Sequence, residues 1–131
     1  MNSALLAGVD VGTSSVKLVA CTSAGQVVAN QTAAYGLSTP RPDWVEQDTR
    51  EVGAVVFEAL AALAAAARSH GQIVAIGFST TMHGIVPVDA DGTPLGPLIT
   101  WMDRRSDPVA QRWRNDGTGP ELYRRTGAPI H

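Results

Sequence analysis

A single cysteine, Cys21, stands among 131 residues, so no internal disulfide can form. That fits a reducing compartment, and a cytoplasmic address is expected. Cys21 closes the apolar run Leu18-Val19-Ala20-Cys21 and has no His or Lys beside it. It reads as a packed strand residue and not as a reactive thiol. A basic excess is also lacking: ten Lys and Arg face twelve Asp and Glu, a formal net charge of −2. Binding along a phosphate backbone needs a basic patch, so nucleic acid is not an expected partner. Long apolar runs are missing too. The stretch Ala59 to Ala67 falls well short of the ~20 residues that cross a bilayer, so no membrane partner is expected. Met1-Asn2-Ser3 lacks a basic region, and Asp10 interrupts the apolar stretch behind it, so no secretory signal is visible.

What remains is ordinary globular material, 44% hydrophobic and 17% charged, enough for one domain spanning residues 1–131. Leu5 to Asp10 and Val16 to Cys21 are short apolar runs joined by a few small residues, which predicts an antiparallel hairpin. The turn Thr22-Ser23-Ala24-Gly25 leads to a third strand, Gln26 to Ala34. Pro40 and Pro42 mark a loop. Asp48 then caps a helix, with Glu51 placed for a capping box. Val52, Val55, Val56, Ala59, Leu60, Leu63, Ala64 and Ala67 make one apolar face at the 3.6-residue period. Gly71 is expected to end that helix in a left-handed turn.

Ile73 to Ser79 is apolar on both faces, which predicts an interior strand parallel to a neighbour. Ile85 to Val88 reads as a strand whose Pro87 puts it at an edge. Asp89-Ala90-Asp91-Gly92 is a turn, and Leu98 to Trp101 is a short apolar segment. Asp107-Pro108 predicts a helix start, ended by Asp116-Gly117, and Thr118 predicts a cap for a last helix ending at Gly127. The arginines at 104, 105, 112, 114, 124 and 125 alternate with acids and read as a solvated helical surface. The order β-β-β-α-β describes an α/β domain of the ribonuclease-H-like, actin-type ATPase class, with a mixed sheet. Fold alone licenses no function.

Four motifs can carry chemistry. In Asp10-Val11-Gly12-Thr13-Ser14-Ser15-Val16-Lys17, Gly12 lets a ligand approach the backbone, and successive N–H groups make an anion cradle. Thr13, Ser14 and Ser15 add hydroxyls, Lys17 a point charge, and Asp10 a carboxylate for Mg²⁺. An ordinary hairpin turn is the competing reading. In Asp43-Trp44-Val45-Glu46-Gln47-Asp48, Trp44 reads as a core plug and Asp48 as a cap, and nothing local gives Glu46 or Gln47 a task. Ser79-Thr80-Thr81-Met82-His83-Gly84 follows the buried strand, where ligands of open α/β sheets gather. His83 there is either a ligand to a hydroxyl or carboxylate, or a structural loop residue. Thr100 to Arg105 offers Trp101 as a flat face for a sugar, Asp103 as a hydroxyl acceptor, and an Arg for a carboxylate.

Together, in this order, the motifs resemble the FGGY family of carbohydrate kinases. Asp10 to Lys17 is similar to its Asp-x-Gly-Thr-(Thr/Ser)-Ser-x-Lys opening. Trp44 to Asp48 is similar to its Trp-Val-Glu-Gln loop, Gly77 to His83 to its Gly-x-Ser-x-x-Met-His, and Trp101 to Arg105 to its Trp-x-Asp-x-Arg. The resemblance implies transfer of a phosphoryl group from MgATP to a hydroxyl of a sugar or sugar acid. By the same resemblance Asp10 organises Mg²⁺, while Gly12, Thr13, Ser14, Ser15 and Lys17 neighbour the ATP phosphates. Met82, His83, Trp101, Asp103 and Arg104 then line the sugar pocket.

Thr100-Trp101-Met102-Asp103 and the ending Thr126-Gly127-Ala128-Pro129-Ile130-His131 look most like the family's gluconate kinases, with xylulose kinases next. Family members are several times longer, so the general-base Asp and a C-terminal domain are expected outside this chain. The chain alone is then expected to be inactive, and its domain-facing surface to favour self-association. A free-standing binding module for a sugar acid or a protein partner is the rival reading.

Overall fold

A computed structural model of the protein describes residues 3–130. Met1, Asn2 and His131, which enter the readings of the start and of the Thr126–His131 ending, lie outside the described residues.

The opening meander forms as expected, with strands at Ala4–Val11 (β1), Ser15–Thr22 (β2) and Val27–Ala34 (β3). β1 and β2 pair antiparallel, Asp10 opposite Lys17 and Val11 opposite Val16. Side chains alternate across a strand. Leu5, Ala7 and Val9 of β1 therefore share one face with Val16, Leu18 and Ala20 of β2, and all six are buried. The helix Thr49–Ala67 (α1) covers that face with Ala59, Leu63 and Ala67. Burying Leu63 alone is worth about 1.5–3 kcal/mol.

Asp48 caps α1 by accepting the N–H groups of Arg50 at 2.8 Å and Glu51 at 3.3 Å. The expected capping box stays half-made, because Glu51 accepts the Gly36 N–H instead, at 3.3 Å. The helix end differs from expectation as well. Gly71 has φ of 159°, an extended backbone. It is needed there because a Cβ would sit 2.1 Å from the Ser3 carbonyl oxygen. That close approach lets Gln72 N–H bond Ser3 O at 2.9 Å and starts the strand Gln72–Thr80 (β5) beside β1.

β5 runs parallel to β1, as expected, but it is not interior. The strand order is β3-β2-β1-β5, which leaves β5 at an edge among the described residues. Val74, Ile76 and Phe78 are 60%, 48% and 61% exposed. The register puts Ile76 beside Ala7 and Phe78 beside Val9, on the helix side of the sheet. α1 packs mainly over β2 and β3 and touches β5 only lightly, so these side chains stay exposed. Both-face apolarity implied cover that residues 3–130 do not provide.

A second, two-stranded sheet joins Glu46–Gln47 (β4) to Leu98–Ile99 (β6), antiparallel. β4 lies inside the segment expected to be loop. Ile85 to Val88 forms no strand, only isolated bridges from Ile85 to Ile99 and from Val88 to Pro94. Pro87 has no N–H to extend a ladder. The Asp89 turn forms, its carboxylate accepting the N–H groups of Asp91 and Thr93.

The helices Asp107–Asn115 (α2) and Thr118–Thr126 (α3) follow. Ser106, not Asp107, precedes the first helical residue, and Asp107 instead pairs with Arg104. Thr118 is already helical, and its N–H is capped by Asp116 at 2.9 Å.

Candidate functional site

The β1–β2 turn is held by its own backbone and by three side chains from elsewhere. Gly12 N–H bonds Ser15 O at 2.9 Å. A Cβ on Gly12 would meet that oxygen at 3.0 Å, which is why the turn takes glycine. Tyr35 O–H donates to Gly12 O at 2.6 Å, and Gln47 Nε2–H donates to Thr13 O at 2.8 Å. Trp101 Nε1–H donates to Thr13 Oγ1 at 3.1 Å. Tyr35 and Gln47 are both buried, so each donor has its acceptor where water is excluded. Burial pushes the Tyr35 phenol above its usual value, and the Asp10 charge pushes it further the same way.

With its carbonyls occupied, the turn is left with donors. Among the described residues, the N–H groups of Thr13 and Ser14 meet no acceptor in the chain. That is the polarity an anion requires. Asp10 and Lys17 sit opposite each other on the face α1 leaves open, with Ser79 beside Asp10 across the β1–β5 pair. They line a shallow groove of about 430 Å³. No cluster of three His, Cys, Asp or Glu exists among the described residues. A metal here would thus rely on Asp10 and on ligands brought with it. This suits Mg²⁺, which binds one or two carboxylates plus substrate phosphates.

The second half of the site is a cavity of about 640 Å³ walled by His83, Trp101 and Arg104, with Asp103, Arg105 and Pro129 also on its lining. Trp101 is 58% exposed, its ring open to a ligand. His83 has φ of 63°, the left-handed region that a non-glycine residue rarely enters. Met82 is exposed and is not part of the cavity wall. The structure thus brings His83, Trp101 and Arg104 together and leaves Met82 outside.

Asp103 is not available as a hydroxyl acceptor. Its Oδ1 accepts the Arg105 backbone N–H at 3.0 Å and Nε–H at 2.7 Å. Its Oδ2 accepts Val45 N–H at 2.8 Å and an Arg105 terminal N–H at 2.7 Å. Its side chain is 2% exposed. Hydrogen bonding from Arg105, helped by Val45 N–H and opposed by burial, brings the carboxyl down to about 2. Arg105 also bonds Glu46 at 2.6 Å and lies over Trp44, 3.7 Å from the ring centroid, with Arg41 at 4.8 Å. Trp44 is therefore a half-buried cation platform, not a core plug. Arg105 is likewise no part of a solvated surface. Arg104 fits that description, paired with Asp107 at 2.9 Å in the open.

Residue reasoning missed Tyr35, Gln47 and Arg105. Gln47 stood in a motif without a task. Tyr35 follows a strand with no motif around it, and Arg105 was one arginine among six.

Comparison with known proteins places these features in a lineage. Residues 5–131 match the N-terminal domain of the FGGY family of carbohydrate kinases. A gluconokinase of Bacillus subtilis (strain 168) is 36% identical over 126 residues, covering 95% of this chain and 24% of that protein. A gluconate kinase structure from Lactobacillus acidophilus superposes with a TM-score of 0.90 at 30% identity, over 98% of this chain and 26% of the other. A ligand-bound xylulose kinase structure, also from Lactobacillus acidophilus, gives 0.91 at 30% identity with the same coverage. The architecture is accordingly the ribonuclease-H-like, actin-type one expected from the element order. The chain spans about a quarter of the length of these relatives.

Proposed function

Because the chain belongs to the FGGY family of carbohydrate kinases, we propose that it supplies the phosphate loop and one wall of the sugar pocket of an ATP-dependent kinase acting on D-gluconate. The observation that carries this reading is the junction of the two half-sites. The pocket wall Trp101 bonds directly to Thr13 of the donor-rich turn. A phosphoryl donor at the turn and an acceptor hydroxyl at the indole would thus be neighbours.

In this reading Gly12, Thr13, Ser14 and Ser15 face the ATP phosphates with backbone and hydroxyl donors, and Lys17 adds a positive charge. Asp10 would hold Mg²⁺, which when bound neutralises charge on the phosphates. Trp101 takes the C–H face of the sugar, and His83 hydrogen-bonds a hydroxyl. Arg104 grips the sugar-acid carboxylate, exchanging its exposed bond to Asp107 for a charge-assisted one. Met82 contributes at the rim. Asp103 acts through Arg105 as scaffold. Catalysis of this class is mostly positioning and charge stabilisation, which a braced turn can provide.

Among the described residues, the acids closest in sequence to the pocket motifs are engaged elsewhere. Asp89 and Asp91 occupy a turn, and Asp103 is consumed by Arg105. In this reading the base and most of the adenosine site come from other polypeptide of the same enzyme, and the reaction takes place in the cytoplasm. A second reading, a xylulose kinase, is favoured by the equal superposition on the xylulose kinase structure.

Purified full-length gene product, assayed for ADP release with MgATP and each sugar, tests the assignment. D-gluconate is expected to give the highest kcat/KM. A preference for xylulose moves the protein to the second reading. Residues 1–131 alone are expected to be inactive, and gluconate binding by them without turnover elsewhere in the protein would favour a binding module.

A further inference from the structure

Two side chains hold Thr13, and they differ in what they can sense. Gln47 bonds the Thr13 carbonyl and is 5% exposed, and it is not on the wall of the Trp101 cavity. Trp101 bonds the Thr13 hydroxyl and is 58% exposed on the cavity wall. The direction of that bond is fixed by chemistry. An indole N–H only donates, so Thr13 Oγ1 must accept. The hydroxyl proton is left pointing away from Trp101, free to donate to an anion. A ligand lying against the indole restricts the ring's rotamers, and the bond to Thr13 then forms at smaller entropic cost.

We propose that Trp101 is a positioning residue that couples the two substrate sites. A sugar or sugar acid on the indole face fixes the Thr13 hydroxyl, and with it the phosphate loop, in its donating orientation. Phosphate on the loop in turn favours the indole position that receives the sugar. Linkage requires the effect to be reciprocal. The inference rests on the kinase reading above and gives Trp101 a second task beyond lining the pocket.

The test uses the full-length enzyme and Trp101→Phe, which keeps a flat apolar face and removes the N–H. The dissociation constant of Mg²⁺ with β,γ-methylene-ATP is measured with and without saturating D-gluconate. In the wild type gluconate is expected to tighten nucleotide binding on the order of 2- to 10-fold, the weight of one net hydrogen bond. In Trp101→Phe the ratio is expected to fall to near one, and the reciprocal ratio, gluconate affinity with and without the nucleotide analogue, is expected to fall with it. A variant that keeps the wild-type ratio, or that loses only gluconate affinity, overturns the coupling. Should the variant fold poorly, the indole N–H resonance of wild-type Trp101 serves instead. It is expected to move when the nucleotide analogue is added without sugar, and an unmoved resonance overturns the proposal. A wild-type enzyme that turns over no sugar overturns the kinase reading itself, and this is seen before any variant is made.

Discussion

The Arg105 guanidinium lies 3.7 Å from the centre of the Trp44 ring while its N–H groups bind Asp103 and Glu46 at 2.7 and 2.6 Å. One cation thus ties the segment before α1 to the segment before α2, across about sixty residues of chain. Both segments reach the β1–β2 turn, through Gln47 and through Trp101. Arg105→Ala leaves the Asp103 carboxylate enclosed with its strongest partner gone, and an uncompensated enclosed charge is destabilising. The expected result is a lower Tm and altered Trp44 fluorescence. Arg105→Lys keeps the charge without the planar fork, so it should recover only part of the loss. Equal Tm values for all three proteins would contradict the role.

Asp103 makes the same cluster sensitive to acid. Its carboxyl lies at about 2 in the folded chain, below the ordinary value of 3.8. A depressed carboxyl stabilises the fold fully above its unfolded value, and that contribution is lost as pH falls through the folded one. Stability should therefore decline between about pH 4 and pH 2, and Asp103→Asn should flatten this segment of the profile. Chemical denaturation at stepped pH reads the difference.

Tyr35 works at the other end of the scale. Its phenol is raised, so its bond to Gly12 O persists below its unfolded value near 10 and is lost as pH climbs through the folded one. Tyr35→Phe should cost about 0.5–1.5 kcal/mol at neutral pH. The wild type is expected to lose stability in urea titrations above pH 10, and the variant to lack that alkaline decline.

The β5 edge gives a prediction about association. Ile76 and Phe78 stand open beside buried Ala7 and Val9. An open apolar strand edge is a template for pairing with another chain. The 131-residue chain should self-associate in sedimentation velocity as concentration rises, and Ile76→Lys should shift it towards monomer. A wild-type chain that stays monomeric at high concentration would contradict this.

Much of this was legible from residues alone. Apolar alternation marked the meander, the 3.6-residue period marked α1, and Asp48 marked its start. Each is a local signal that tertiary contacts only reinforced. The misses were non-local. β4 is two residues long and exists because Leu98 and Ile99 come to pair with it. β5 reads as interior because a strand's sequence records its need for cover and not whether nearby chain supplies it. In the site, the turn, His83 and Trp101 were visible as motifs. The task of Asp103 was not, since four hydrogen bonds to a carboxylate leave no trace in spacing. Tyr35 and Gln47 meet the turn from 23 and 34 residues away, with no periodicity to announce them.

On the kinase reading, the turn after β1 and the Trp101 pocket are two parts of one site. The most direct measurement is sugar-dependent ADP release by the full-length gene product with MgATP, comparing D-gluconate with D-xylulose and glycerol. Release that depends on sugar, is fastest with D-gluconate and falls sharply in Asp10→Ala is the predicted result. An enzyme that releases no ADP with any of these sugars, or whose activity is untouched by loss of Asp10, would contradict it.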